Sequence, residues 1–171
     1  MLSLLERYPD PRPAFLNVAP GSLYEIPTMA HTVLGSCVSV TFFVPSRGLA
    51  GIFHALLPRA EEYRLHTPEA TPYKFVDTAI RNIAFRLFHR GINRQEIECK
   101  VFGGASAMFA EEISVGRRNV ETAFVTLAEL GLRIAASNVG GDRGRKIAFA
   151  TRTGEIFVRM LNNSAQNGTQ R

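Results

Sequence analysis

The strongest constraint on the fold of this chain is a pair of apolar segments separated by a short break. Residues 38–44 place Val, Val, Phe and Val at alternate positions, which is the period of a β-strand. Pro45, Ser46 and Gly48 interrupt this pattern, and a second apolar run, residues 49–57, ends at Pro58. The two segments therefore predict a β-hairpin.

The remaining patterns predict two helices and further strands. Apolar residues recur at helical spacing in residues 74–90 and in residues 117–130, and each segment is followed by a glycine suited to a helix C-terminus, Gly91 and Gly131. Strands are predicted at residues 97–101, 132–139, 146–151 and 155–161. Strands outnumber helices and cluster in hairpins, so the fold class is predicted to be α+β with a largely antiparallel sheet system.

The length of 171 residues suits one globular domain. Prolines at positions 9, 11, 13 and 20 favour an extended N-terminal arm over residues 1–22. Residues 23–161 are predicted to form the single domain, and the polar residues 162–171 a disordered tail.

Nothing near the N-terminus resembles a secretory signal, because charged residues follow residues 1–5 at once. No run approaches the ~18 apolar residues of a membrane span. A soluble, cytoplasmic protein without membrane insertion is expected. The net charge of +5 favours an acidic partner, and composition alone does not choose between nucleic acid and an acidic protein.

The predicted hairpin brings together one of the two cysteines, Cys37, and one of the four histidines, His54. In an antiparallel hairpin the numbers of opposed residues have a constant sum. A two-residue turn opposes Cys37 and His54 directly, with Cβ atoms ~4.5 to 5.5 Å apart, and a four-residue loop through Gly48 makes them diagonal neighbours at ~7 to 8 Å. Both loops place the two side chains on one face, whereas an odd loop length would separate them.

A thiol beside an imidazole is the arrangement of a cysteine nucleophile and its base, because an ion pair with protonated histidine favours the thiolate. Gly35 and Ser36 before Cys37 allow a close approach, so backbone N–H groups there are candidate donors to an oxyanion. The structural alternative is that Cys37 is a small buried residue and His54 a structural histidine. The other cysteine, Cys99, alternates with charged residues and is predicted to lie in the core.

Six segments of the chain resemble the CheD family of chemoreceptor glutamine deamidases. They occur in the family's order and together cover roughly residues 23–160. They are Thr32–Val40 (TVLGSCVSV), Gly51–Pro58 (GIFHALLP), Val101–Ala105 (VFGGA), Ile113–Glu121 (ISVGRRNVE), Asn138–Arg145 (NVGGDRGR) and Thr153–Arg159 (TGEIFVR).

The resemblance implies a β-sandwich-like core with outer helices and an active site of Cys, His and a Thr shortly before the Cys. Cys37 and His54 match the first two. The Thr stands five or six residues before the Cys, and Thr32 and His31 occupy those positions here. Thr32 is predicted to fill the third role, with His31 as the alternative. The implied reaction is hydrolysis of a glutamine side chain through a Cys37 thioester, with neither metal nor organic cofactor, and a glutamyl methyl ester is a second substrate type.

The implied partners are the cytoplasmic helix bundle of a chemoreceptor and a CheC-type phosphatase. The alternative function is a non-catalytic chemotaxis adaptor that binds the same partners. A group of basic residues lacks the aromatic or helix-turn-helix signature of a nucleic-acid site. This group is predicted to form a solvated face or to dock on an acidic receptor. Its members are Arg117, Arg118, Arg143, Arg145 and Lys146.

Overall fold

The computed structural model describes residues 12–16, 20–63, 72–106 and 114–162 of the chain. Residues 163–171 of the predicted tail and residues 1–11 and 17–19 of the predicted arm lie outside these ranges. Strands and α-helices of the described residues are as follows: β1 Arg12–Phe15, β2 Gly21–Tyr24, β3 Thr28–Leu34, β4 Val38–Val44, β5 Leu49–Phe53, α1 Val76–Phe88, β6 Glu98–Gly103, α2 Val115–Glu129, β7 Ile134–Val139, β8 Arg145–Ala150 and β9 Glu155–Met160.

The strands form two sheets. One has four strands in the order β1-β3-β8-β9, and the other has five in the order β2-β5-β4-β6-β7. Within the two sheets the β1–β3 and β6–β7 pairs are parallel and the other pairs are antiparallel. The largely antiparallel sheet system predicted from the sequence is therefore confirmed.

The two helices cover one side of the five-stranded sheet. The larger core cluster joins the even-numbered residues of β4 to the apolar faces of α1 and α2, and a second cluster fills the space between the sheets. The molecule thus has three layers: the four-stranded sheet, the five-stranded sheet and the helices. Neither α-helix in the described ranges combines the length and the apolar character that crossing a membrane requires.

Both helices lie where the sequence predicts them, with different ends. Helix α1 is shorter than residues 74–90, and Gly91 follows it with a φ of 75°. Helix α2 begins before the predicted Arg117 because Ser114 caps it, accepting a hydrogen bond from the Arg117 backbone N–H at 3.1 Å. Because of this earlier start, Gly116 belongs to α2 and lies against the chain that follows β6.

The hairpin of β4 and β5 adopts the four-residue loop. Val44 pairs with Leu49, and residues 45–48 form the loop, in which Gly48 has a φ of 60°. The register continues to an isolated bridge between Val38 and Ala55. Cys37 and His54 are therefore diagonal neighbours on the side of the sheet that faces the inter-sheet core.

Part of the predicted N-terminal arm is integrated into the fold. Strand β1 pairs with β3 in parallel, and Leu16, which follows it, is only 4% exposed and belongs to the inter-sheet cluster. The Leu16 N–H donates to the carbonyl of His31 at 2.8 Å. The backbone of Leu16 is thus fixed against β3.

Candidate active site

Cys37 lies at the end of the inter-sheet core, directly beneath the surface. Its side chain is 9% exposed, whereas Gly35 and Ser36, which precede it, are exposed. His54 follows β5 and is 3% exposed. A substrate that reaches the Gly35–Ser36 turn is therefore next to the thiol, while the imidazole is shielded from bulk water.

Thr32 connects His54 to the N-terminal segment. Its Oγ1 lies 2.8 Å from the carbonyl oxygen of Leu16 and 2.8 Å from Nδ1 of His54. A carbonyl oxygen can only accept, so the single hydroxyl proton of Thr32 goes to Leu16. Thr32 Oγ1 must then accept a hydrogen bond from Nδ1–H of His54. This network assigns the proton of the neutral imidazole to Nδ1.

The other ring nitrogen, Nε2, is buried and has no hydrogen-bond partner among the described residues. In the tautomer fixed by Thr32 and Leu16, Nε2 carries a lone pair. A buried acceptor without a partner is costly to a fold, and such atoms often have a functional explanation. Nε2 of His54 is therefore free to accept a proton from a group brought into the site.

His31, the alternative third residue, lies elsewhere. It neighbours Thr32 in β3, and successive residues of a strand point to opposite faces of the sheet. Thr32 faces His54, whereas His31 lines a cavity of about 220 Å³ together with Lys146 and Arg159. The structure thus brings Thr32, but not His31, into contact with His54.

The segment that carries Cys37 is held by its carbonyl groups. The Gly35 carbonyl accepts from the Ala105 N–H at 2.9 Å, and the Cys37 carbonyl accepts from the Gly104 N–H at 2.8 Å. Gly103 has a φ of 106°, and a Cβ there would lie 2.1 Å from the Cys37 oxygen. Only glycine fits this close approach. Around Gly35, by contrast, no atom lies within 4 Å of a Cβ position, so packing alone does not require glycine there.

The second glycine pair completes this arrangement. The Gly140 N–H donates to the Gly103 carbonyl at 2.9 Å, and both Gly140 and Gly141 have positive φ. A cleft of about 720 Å³ adjoins these turns and is lined by Gly104, Gly140 and the first turns of α2. The glycine pairs are thus tight turns beside the Cys37 segment.

Burial opposes charge on both members of the pair. It raises the pKa of the Cys37 thiol, an effect partly offset by the hydrogen bond from the residue's own backbone N–H. Burial lowers the pKa of His54, and the Leu16 carbonyl acts in the opposite direction. Both shifts favour the uncharged form of the side chain, the thiol for Cys37 and the neutral imidazole for His54. Burial thus opposes the thiolate–imidazolium ion pair that the sequence suggested, because each charge loses solvation.

The second cysteine is confirmed as a core residue. Cys99 is fully buried in the cluster beneath the helices, and burial, with a contribution from Glu98, raises the pKa of its thiol to about 12. Within the described ranges, no three His, Cys, Asp or Glu residues are grouped so as to hold a metal ion.

One of the basic residues predicted to form a solvated or docking face is buried. Arg145 is 1% exposed, and its guanidinium donates to the carbonyls of Asn138 and Gly140. Arg117 pairs with Glu121, and Arg118 pairs with Glu62. Arg145 thus holds the glycine turn that follows β7 and is not available for docking.

The raised pKa of the Cys37 thiol predicts how its labelling by iodoacetamide depends on pH. Alkylation requires the thiolate, so the rate should continue to rise above pH 9.0, the ordinary pKa of a cysteine thiol, and should not reach a plateau near neutral pH. Cys37 should still react well before Cys99, whose thiol is both fully buried and harder to ionise. Peptide mass spectrometry at a series of pH values measures both rates.

A plateau from acidic pH onwards would show that a preformed ion pair is present. Equal labelling of both cysteines in the folded protein, or faster labelling of Cys99, would contradict the exposure and the ionisation assigned to Cys37.

Comparison with known proteins identifies the family. The family model described as "CheD chemotactic sensory transduction" matches residues 56–160. A protein of Oleidesulfovibrio alaskensis named "Probable chemoreceptor glutamine deamidase CheD" is 45% identical over 91% of this chain and 76% of its own length. A protein of Geobacter sulfurreducens named "Probable chemoreceptor glutamine deamidase CheD 2" is 41% identical over 81% of this chain and 83% of its own length.

Among solved structures, the hypothetical protein YfiH of Bacillus licheniformis is similar with a TM-score of 0.45 and 14% identity, over 69% of this chain and 49% of that one. The family model covers more than half of the chain, and relatives above 40% identity cover most of it. The chain belongs to the CheD family.

Proposed function

We propose that this protein deamidates glutamine side chains of chemoreceptors, with Cys37 as nucleophile and His54 as general base. The observation that carries the proposal is the tautomer of His54, which leaves a free Nε2 on the face that His54 shares with a near-surface thiol. Membership of a family whose relatives are named chemoreceptor glutamine deamidases supplies the substrate class.

The first half of the reaction transfers the glutamyl group to the enzyme. Sγ of Cys37 attacks the carbon of the substrate carboxamide while Nε2 of His54 takes the thiol proton, so a neutral pair suffices. The carbonyl π electrons move to oxygen, and the oxyanion is stabilised by backbone N–H groups, of which that of Cys37 itself already faces the sulphur. The C–N bond then breaks, and His54 returns the proton to the departing ammonia.

The second half hydrolyses the resulting thioester. Nε2 of His54 takes a proton from water, whose oxygen attacks the thioester carbon. The C–S bond then breaks to release glutamate, and His54 returns the proton to the departing sulphur, which regenerates the thiol and the neutral imidazole. A glutamyl methyl ester needs the same steps with methanol as the leaving group, and methanol release from a methylated receptor fragment tests that extension.

Thr32 and Leu16 act through His54. By fixing the proton on Nδ1 and the plane of the ring, they keep Nε2 as the acceptor, a role analogous to that of the third group in other catalytic triads. The receptor is proposed as the partner that presents the glutamine. A CheC-type phosphatase is proposed as a second partner, and a binding role without chemistry remains the alternative function.

The thioester has a specific chemical test. Hydroxylamine competes with water for a thioester, so a receptor fragment incubated with the protein and hydroxylamine should acquire glutamyl hydroxamate, detected by peptide mass spectrometry. The same incubation with a Cys37→Ser variant is the control. Deamidation without hydroxamate would contradict the covalent intermediate while leaving the deamidase activity intact.

The third catalytic position predicts a contrast between two adjacent residues. Thr32→Val keeps the shape but removes the acceptor of Nδ1–H, so kcat should fall at least about tenfold, the rate equivalent of one hydrogen bond. His31→Ala should leave kcat unchanged, because His31 faces away from His54. Ammonia release from a receptor fragment measures both variants.

Unfolding midpoints of the two variants are the control for this contrast. A fall in kcat for His31→Ala, with Thr32→Val at the wild-type rate, would assign the third role to His31.

A further inference from the structure

The hydrogen-bond ladder between β4 and β5 ends next to Cys37. Its last rung joins Val38 and Ala55 through two bonds, of 3.0 and 2.9 Å. Beyond this rung the two chains diverge, because the backbone N–H groups of Leu56 and Leu57 both donate to the carbonyl of Lys74. His54 precedes Ala55 and lies within the ladder, whereas Cys37 lies one residue beyond the last rung, so its position also depends on contacts outside the ladder.

The side chain of Asn119 lies between the two chains where they diverge. It projects from α2 and is fully buried. Its Nδ2 donates to the carbonyl of Ser36 at 2.9 Å and to the carbonyl of Leu56 at 3.1 Å. Ser36 immediately precedes Cys37, and Leu56 lies two residues after His54. One amide group thus binds both of the segments that carry the reacting side chains.

Few side chains can replace this contact. Both partners are carbonyl oxygens, so the bridging atom must supply two hydrogens, as the NH₂ group of asparagine does and a hydroxyl cannot. The length is also fixed, because α2 lies close to the chain that follows β6. A Cβ on Gly116 would lie 2.4 Å from the Ala105 oxygen and 2.8 Å from the Gly104 oxygen. These same two residues donate to the carbonyls of Gly35 and Cys37.

We propose that Asn119 is a positioning residue, which sets the distance and angle between Cys37 and His54 by bridging their backbone segments at the end of the β4–β5 ladder. The proposal rests on the catalytic roles proposed above for Cys37 and His54. Asn119 contacts neither reacting side chain, so its effect on chemistry passes through the two carbonyls that it binds.

The test compares two variants of Asn119 with a matched control on the same helix. Asn119→Leu is similar in size and removes both donors, whereas Asn119→Asp is isosteric and supplies one donor only when protonated. Thr126→Val is the control, since Thr126 is equally buried two turns further along α2. For each variant we would measure the unfolding midpoint, the rate of Cys37 alkylation against pH, and kcat and KM on a receptor fragment.

For Asn119→Leu we expect kcat to fall at least about tenfold with KM within about twofold of wild type, since no substrate contact changes. For Asn119→Asp, the alkylation rate relative to wild type should rise as the pH is lowered from 9 to about 6, because a carboxyl group buried against carbonyls has a raised pKa and regains a donor on protonation. Thr126→Val should keep the wild-type kcat and the wild-type alkylation profile, even where the variant is less stable than the wild type.

Wild-type kcat and alkylation profiles in a folded Asn119→Leu variant would overturn the proposal, as would equal losses of kcat in Thr126→Val. If Asn119→Leu does not fold, the proposal is tested by the pH dependence of Cys37 alkylation in Asn119→Asp. If neither variant folds, Asn119 is a structural residue only. Should the wild-type protein convert no receptor glutamine, the proposed function fails, while the alkylation rates still report on the position of Cys37.

Discussion

Replacement of Cys37 by serine should lower the release of ammonia from receptor glutamine at least about 10³-fold, as expected when a covalent nucleophile is removed. Serine keeps the size and the position at the end of the inter-sheet core, but a hydroxyl is far harder to ionise than a thiol. His54, whose pKa burial lowers, is a weak base for that task. Folding should be retained, because the carbonyls of residues 35–37, and not the thiol, hold this segment.

The measurement is ammonia release under single-turnover conditions, with Cys99→Ser as the matched control. Cys99 lies in the core beneath the helices, so that variant can lose stability but should keep the wild-type rate wherever it is folded. A Cys37→Ser protein that releases ammonia at the wild-type rate would exclude Cys37 as the nucleophile.

Replacement of His54 by alanine has the second largest expected effect, a fall of about 10² to 10⁴ in kcat, the range of a lost general base. Without His54, to which we assign the thiol proton, chemistry should depend on direct ionisation of the Cys37 thiol, whose pKa burial raises. The residual rate of the variant should therefore increase with pH beyond 9.0, whereas the wild-type rate should already be maximal near neutral pH.

His89→Ala is the control for this variant, because His89 caps the C-terminus of α1 and lies outside the site. Ammonia release across the pH range distinguishes the two proteins. A His54→Ala rate equal to wild type at neutral pH would show that another group takes the thiol proton.

The hairpin geometry could be predicted from the sequence because its determinants are local. Strand period and loop parity depend only on residues 37–54, and the four-residue loop through Gly48 is one of the two that were compatible with the pattern. The helix starts were less predictable, because a single cap such as Ser114 moves the start of α2 by two residues without changing the apolar period.

The third residue of the proposed active site was harder to predict, because its identity depends on contacts between distant parts of the chain. The choice between Thr32 and His31 depends on which side of β3 faces β5, and local periodicity does not contain that information. The Leu16 carbonyl that fixes the Thr32 proton is a backbone atom, which every residue possesses. Asn119 did leave a signal, as a polar residue on the apolar face of a predicted helix.

Burial bears on two electrostatic expectations in the same physical way. Arg145 was predicted on a basic surface and is buried, and burial opposes the ion pair expected of Cys37 and His54 by raising the pKa of the thiol and lowering that of the imidazole. Residue type indicates which charges a chain can carry, but burial determines which of them are solvated. That burial appears only when the sheets are assembled.

The intact mass of a purified chemoreceptor cytoplasmic fragment, before and after incubation with this protein, tests the central claim most directly. Deamidation replaces an amide NH₂ with OH, so each converted glutamine should add about one dalton, and tandem spectra should place the change at glutamine residues. The account predicts this increase with wild-type protein and none with Cys37→Ser. An unchanged mass with the wild type, or an equal increase with the variant, would contradict it.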